Sequence, residues 1–318
     1  MAMLRPDPWS PSHGAGAEAP FGDEETTVVV DPTVETDDWA RPLEPPPPPP
    51  EAITFVDGVM RVDLRVLARD GDRRAWGLLG SYAAGGVRCD GAASFVGLDE
   101  PIGRALVLGG GLTSTPVEVQ TGACTLVYRP RTIADETPQA QRVALQRLMI
   151  EAEQRMAARL AREGIVFADG PLRLNTGSEL PIVGVVKRMV TAYLQGDHAA
   201  LLERLRPGQR TPIFALGNGA IDRLAWYQRP IEPDPTWHEL AGLVRGEVRL
   251  EHGVEAARKI ADRAAHRLVQ YAGRPGVDPR APQNLTPVGG LEQRLRHLLG
   301  HPIVIRRALQ NRLLEEAS

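Results

Sequence analysis

Two apolar runs that each end in Asp-Gly constrain this chain more than any other feature. Ile53-Thr54-Phe55-Val56-Asp57-Gly58 is followed 112 residues later by Ile165-Val166-Phe167-Ala168-Asp169-Gly170, with Pro171 and Leu172 beyond it. Ile, Val and Phe favour a buried strand, and Asp-Gly-Pro stops one. A strand that carries an aspartate to its carboxyl end is a frequent way to hold a ligand at the edge of a sheet. Just before the second run, Pro138 to Glu163 reads as a helix. Pro138 suits its first turn, Gly164 its end, and Leu145, Leu148, Ala152 and Met156 form an apolar stripe. Strand and helix signals together predict an α/β fold.

The remaining elements follow from local pattern. Arg61–Val66 alternates polar and apolar residues and predicts a half-buried strand, paired with the first run through a turn at Asp57-Gly58. Strands are expected over Ala75–Cys89, Arg104–Leu108, Pro116–Gln120 and Cys124–Arg129, making residues 53–130 a mostly antiparallel sheet. Gly109-Gly110-Gly111 lacks the lysine and Ser/Thr of a phosphate loop and reads as a turn. Further strands are predicted at Pro181–Lys187, Thr211–Leu216 and Leu240–Leu250. Helices are predicted over 191–206 and Val254–Tyr271, and from Leu291 onward after a Gly/Pro-rich loop at Gly273–Gly290.

Composition divides the chain. Residues 1–50 carry ten acids, two arginines and twelve of the 28 prolines, six of them consecutive at Pro45–Pro50. Such a segment holds little apolar surface to offset ordering entropy, so it reads as a disordered acidic, proline-rich N-terminal tail. Within it, Thr26–Val30 is an apolar patch, either solvated with the tail or docked on a partner. Residues 51–318 carry a net charge of +5, compatible with a polyanionic partner. No run approaches the ~20 apolar residues of a membrane span, and the N-terminus lacks the pattern of a signal peptide. Cys89 and Cys124 form no metal motif, and a cytoplasmic location is the expectation. The chain has 35 arginines against two lysines, Lys187 and Lys259. Where arginine is so favoured, a lysine suggests a compact charge on a flexible stem.

The acids predict chemistry. Asp169 lies roughly 16 Å along its strand at ~3.3 Å per residue. A helix running back from Gly164 comes level with it ~11 residues before Glu163, at ~1.5 Å per residue. That height falls between Glu151 and Glu153, and spacing does not choose between them. Asp57, Glu151 or Glu153, and Asp169 are therefore expected to converge as hard oxygen ligands for Mn2+ or Mg2+, the donor set phosphodiester cleavage uses. There is no G-x-S-x-G and no H-E-x-x-H. His297 and His301, separated by a span containing Gly300, read as a solvated helix end.

Taken in order, Phe55-Val56-Asp57-Gly58, a helix glutamate, Asp169-Gly170-Pro171-Leu172 and Gly184-Val185-Val186-Lys187-Arg188 resemble the NurA nuclease domain over roughly residues 51–310. The resemblance implies an RNase H-like mixed sheet flanked by helices and Mn2+-dependent 5'-3' exonuclease and endonuclease activity in DNA double-strand break processing. It also implies a homodimer and a hexameric HerA-type ATPase as partner. By carry-over, Asp57, Glu151 and Asp169 match the metal acids and Lys187 a phosphate-binding lysine. The family's late motif has a tyrosine and, eight residues on, a histidine; here Asn284 and Glu292 hold those positions, so Glu292 stands as the fourth ligand. Arg61, Arg88 and Arg188 would line the DNA path. The alternative is a non-catalytic RNase H-like module that docks on an ATPase ring or on DNA.

Overall fold

A computed structural model of the chain describes residues 3–6, 28–100, 102–122, 124–172, 180–187, 192–217, 222–232, 240–274 and 284–315. Two 18-residue strands, β3 (Ile53–Asp70) and β4 (Arg73–Asp90), dominate it and pair antiparallel along their whole length. Gly71, at φ 60°, makes the turn between them in a left-handed conformation that costs glycine little. The short strands β1 (Met3–Pro6) and β2 (Val29–Asp31) precede this hairpin. After it come β5 (Ala92–Val96), β6 (Gly103–Leu108), β7 (Val117–Gln120) and β8 (Thr125–Thr132), then helix α1 (Pro138–Leu160). The second half adds β9 (Val166–Asp169), β10 (Ile182–Val186), α2 (Gly196–Glu203), β11 (Phe214–Gly217), β12 (Arg223–Gln228) and β13 (Val244–Arg249). Three helices close the chain: α3 (Gly253–Tyr271), α4 (Thr286–Leu298) and α5 (Pro302–Glu315).

The strands form one mixed sheet in the order β2-β11-β12-β13-β10-β9-β3-β4-β6-β8-β7, with β1 added to β3 and β5 to β4. The fold is therefore α/β, as the alternating elements predict. Its centre is β9, parallel to both β3 and β10. All five residues of β10 are buried, the run of unbroken apolar residues expected of a strand covered on both faces.

Strand parity decides what each face packs against. Ile53, Phe55, Val59, Phe167, Val183 and Val185 face α3 and α4, meeting Ile260, Ala264, Leu268, Leu291 and Leu295. Phe55 and Phe167 stack there with ring centroids 5.5 Å apart. Val56, Val166 and Ile182 face the other way, against Met156, Ala157 and Leu160 of α1. Thr137 caps α1, its Oγ1 accepting from the Ala140 N–H at 3.2 Å. At the far end of the hairpin, α5 packs Ile305, Leu309 and Leu313 on Leu64, Val66 and Leu106.

Three expectations are corrected. Asp57-Gly58 is not a turn: β3 runs straight through it, because alternating apolar residues continue on both sides and β4 pairs it throughout. Residues 28–50 are not a disordered tail. Trp39 is buried, β2 pairs with β11, and Glu35 accepts both Arg210 Nη groups at 2.8 Å and the Ile213 N–H at 2.7 Å. Pro45 O accepts a hydrogen bond from His266, and Pro49 O one from Arg267, so the proline run lies along α3 as an ordered strap. β12 was not expected from the sequence and pairs with β13 over six residues.

Candidate functional site

The ends of β9 and β10 meet the early part of β3 on the α3/α4 face. The β3–β9 register matches Thr54 with Val166 and Val56 with Ala168, so Asp57 continues it opposite Asp169. Asp169 in turn lies beside Val185, and Lys187 follows two residues later on the same face. Lys187 Nζ meets Asp169 Oδ2 at 2.9 Å, with both side chains partly exposed. Gly85 is the partner of Asp57 on β4, and a Cβ there would strike Leu98, Leu295 and Leu291. That clearance lets α4 lie close over Asp57 and brings Glu292, one residue past Leu291, to the same pocket of charge.

Asp57 is only 8% exposed. Burial first, then the carboxylates of Asp169 and Glu292, push its carboxyl up to about 8, while its Gly58 N–H bond and Lys187 pull the other way. Asp57, Asp169, Glu292 and Lys187 thus sense one another electrostatically. Glu292 is held from outside by Arg296 at 3.6 Å, one turn along α4.

The helix glutamates stand elsewhere. α1 covers the opposite face of the sheet, the face of Val56 and Gly58. Glu151 is exposed on it. Glu153 lies nearer, its Oε2 3.4 Å from where a Gly58 Cβ would sit. The predicted height was right and the face was not: the apolar stripe of α1 commits the helix to Val56 and Val166. Glu292 is the carboxylate that joins Asp57 and Asp169.

Two supports were not visible in the sequence. Behind Asp169, the loop Gly170–Leu172 folds over Gly184, where a Cβ would come within 2.8 Å of Leu172 N. Glu247, fully buried on β13, fixes that loop by accepting from Leu172 N at 3.0 Å, Arg223 at 3.1 Å and Arg245 at 2.8 Å. Charged Arg245 and Glu247 alternating with Val244 and Val248 look like a solvated strand face, which hid this role. The second support holds α4. Arg61 donates to Gly300 O at 2.7 Å and Leu299 O at 3.3 Å, and Arg104 donates to Leu299 O at 3.2 Å. These cations satisfy the carbonyl end of the helix. Asp63, buried between them, binds Arg61 at 2.7 Å, Tyr128 OH at 2.8 Å and Ser81.

Arg61 is therefore a structural clamp and not a free contact for a polyanion. Arg88 pairs with Glu163 at 2.9 Å, and Arg188 lies outside the described residues. Asn284 is buried, and its carbonyl accepts from Gly273 N–H at 2.6 Å. His297 and His301 are exposed.

Among the described residues, no three His, Cys, Asp or Glu side chains close into a shell that could hold a metal ion. The donor chemistry nevertheless suits a hard divalent cation: three carboxylates share a half-buried site, and burial, reinforced by the other two carboxylates, holds the Asp57 carboxyl up at about 8. Also among the described residues, no helix is long and apolar enough to cross a membrane. No protein-family model matches the chain, and no curated protein matches it in sequence.

Proposed function

We propose that the protein is a metal-dependent DNA nuclease of NurA type, built on an RNase H-like sheet, with its site where the ends of β9 and β10 lie beside Asp57 of β3. One observation carries this reading. A buried aspartate is held up at about 8, first by its burial and then by two further carboxylates, beside a lysine. An acid cluster maintained against its own repulsion is costly unless a cation completes it.

Asp57, Asp169 and Glu292 would hold Mn2+ or Mg2+, with Glu292 taking the place expected for Glu151. The cation, when bound, supplies a water of lowered pKa and offsets charge on the leaving oxygen. Asp57 would serve as a ligand in its ionised form. Lys187, now paired with Asp169, would donate to a non-bridging phosphate oxygen of the substrate. Glu247 and Gly184 keep the Asp169 loop in place throughout. On this reading the protein acts in the cytoplasm on DNA ends as a homodimer with a HerA-type hexameric ATPase.

Calorimetric titration with Mn2+ at pH 8.5 tests the reading against a non-catalytic docking module. A nuclease shows a site that Asp57→Asn and Asp169→Asn each abolish, together with DNA cleavage that the same changes remove. A docking module shows neither.

A further inference from the structure

One cavity runs between α1 and the sheet and reaches Leu295 and Leu298 of α4. It has a volume of about 580 Å3, within the usual range for a small-ligand site. One wall is α1, through Leu148, Ala152 and Arg155; the other is β8, through Val127, Arg129 and Arg131. Strand parity puts Arg129 and Arg131 on the same side, about 6.6 Å apart, close to the interval of successive phosphates along an extended strand.

Many arginines among the described residues bond carboxylates or carbonyl oxygens. Arg129, Arg131 and Arg155 have no ion-pair or hydrogen-bond partner among the described residues. The cavity's carboxylate, Glu100, is engaged by Arg159 at 3.4 Å, which leaves the interior positive. The floor is aromatic. Gly103 carries no side chain, and a Cβ there would fall 2.2–2.6 Å from the Tyr82 ring carbons, so the half-buried Tyr82 ring lies directly over it. Tyr82 lines the cavity, and among the described residues no other ring packs on it.

A trough with an aromatic floor and unpaired arginines along its rim matches the chemistry of a nucleotide: a base to stack and phosphates to neutralise. We propose that the trough between α1 and β8 binds nucleotide units of a single-stranded nucleic acid, with a base on Tyr82 and the backbone on Arg129, Arg131 and Arg155. The site stands on its own residues and does not depend on the acid cluster being catalytic.

Fluorescence anisotropy in EDTA tests it, using a labelled 20-mer DNA and the same sequence as RNA over a range of salt. Wild type should bind with a steep salt dependence. The double variant Arg129→Gln/Arg131→Gln should flatten the slope of log K against log salt by about 1.4, since each phosphate contact to a single strand contributes ~0.7. Tyr82→Ala should weaken binding about tenfold with the slope unchanged, the signature of lost stacking. Competition with a mononucleotide and with inorganic phosphate identifies the source. A mononucleotide that displaces the strand where phosphate does not marks a free nucleotide as a second occupant of the same site. Asp57→Asn/Asp169→Asn should keep the dependence on Arg129 and Arg131, which separates this proposal from the nuclease reading. Circular dichroism checks that each variant is folded. The proposal is overturned if folded variants bind with wild-type affinity and salt slope, or if wild type binds neither strand.

Discussion

Replacing Asp57 by Asn should stabilise the protein while removing its activity. The folded chain raises this carboxyl from an ordinary 3.8 to about 8. Between those values the unfolded chain holds Asp57 ionised and the folded chain holds it protonated, so folding takes up a proton. Stability from this group is full below about pH 4, falls as pH rises, and levels off above about 8. At 1.36 kcal/mol per pH unit, the loss accumulated by pH 7 is about 4 kcal/mol. Asparagine carries no charge and keeps an oxygen for the Gly58 N–H, so it avoids this loss. The figure is an upper bound, because Asp169 and Glu292 also relax when Asp57 is neutral. Urea unfolding in EDTA, followed by tryptophan fluorescence at pH 4.5, 7 and 8.5, reads the effect. Wild type and Asp57→Asn should be nearly equal at pH 4.5, and the variant should be ahead by about 2–4 kcal/mol at pH 8.5. An Asp57→Asn protein less stable than wild type at pH 8.5, or a difference that ignores pH, would refute the reasoning and make Asp57 an ordinary buried acceptor.

Other consequences follow from the same geometry. Mn2+ affinity should rise about tenfold per pH unit up to about pH 8 and then level, because the cation displaces the Asp57 proton; a titration series from pH 6 to 9 checks this. Lys187→Met removes a cation that lowers Asp57, so the levelling point should move to higher pH. Glu247→Gln leaves buried Arg245 and partly buried Arg223 without their carboxylate and should cost about 3–5 kcal/mol in denaturant unfolding. Burial raises the Glu35 carboxyl, but the Arg210 guanidinium outweighs it and the net shift is downward, so the strap over residues 28–50 is favoured above the usual carboxylate range and loosens in acid. Glu35→Ala should therefore expose residues 28–50 to protease at pH 7, where wild type resists.

Local pattern revealed the strands and helices whose character is set by their own residues. The apolar run of β10, the Pro138 start of α1 and the helix over Val254–Tyr271 that becomes α3 were all legible. What failed depended on distant partners. Residues 28–50 look unable to fold because their own composition is poor, yet they are held by Arg210, His266 and Arg267 from more than 160 residues away. Gly58 looks like a turn, but here it clears space for Met149 and Glu153 beneath an unbroken strand. For the site, spacing along a strand and a helix fixed how high the helix glutamate stands, and Glu153 does lie level with Gly58. Spacing carries no information about which face the helix covers, and that was decided by Met156, Ala157 and Leu160 packing on Val56 and Val166. Asp57, Asp169 and Lys187 were legible because adjacent parallel strands in register share their faces. Glu292 entered only through a family resemblance, since helix α4 reaches the site by a fold that no local pattern encodes.

Cleavage of end-labelled DNA in Mn2+ by four proteins, with EDTA as the blank, tests the central claim most directly: wild type, Asp169→Ala, Glu292→Gln and Glu151→Gln. The account predicts metal-dependent cleavage by wild type and Glu151→Gln, and its loss, by a factor of at least about 100, in Asp169→Ala and Glu292→Gln. Cleavage that survives in Asp169→Ala, or that depends on Glu151 and not on Glu292, would contradict it.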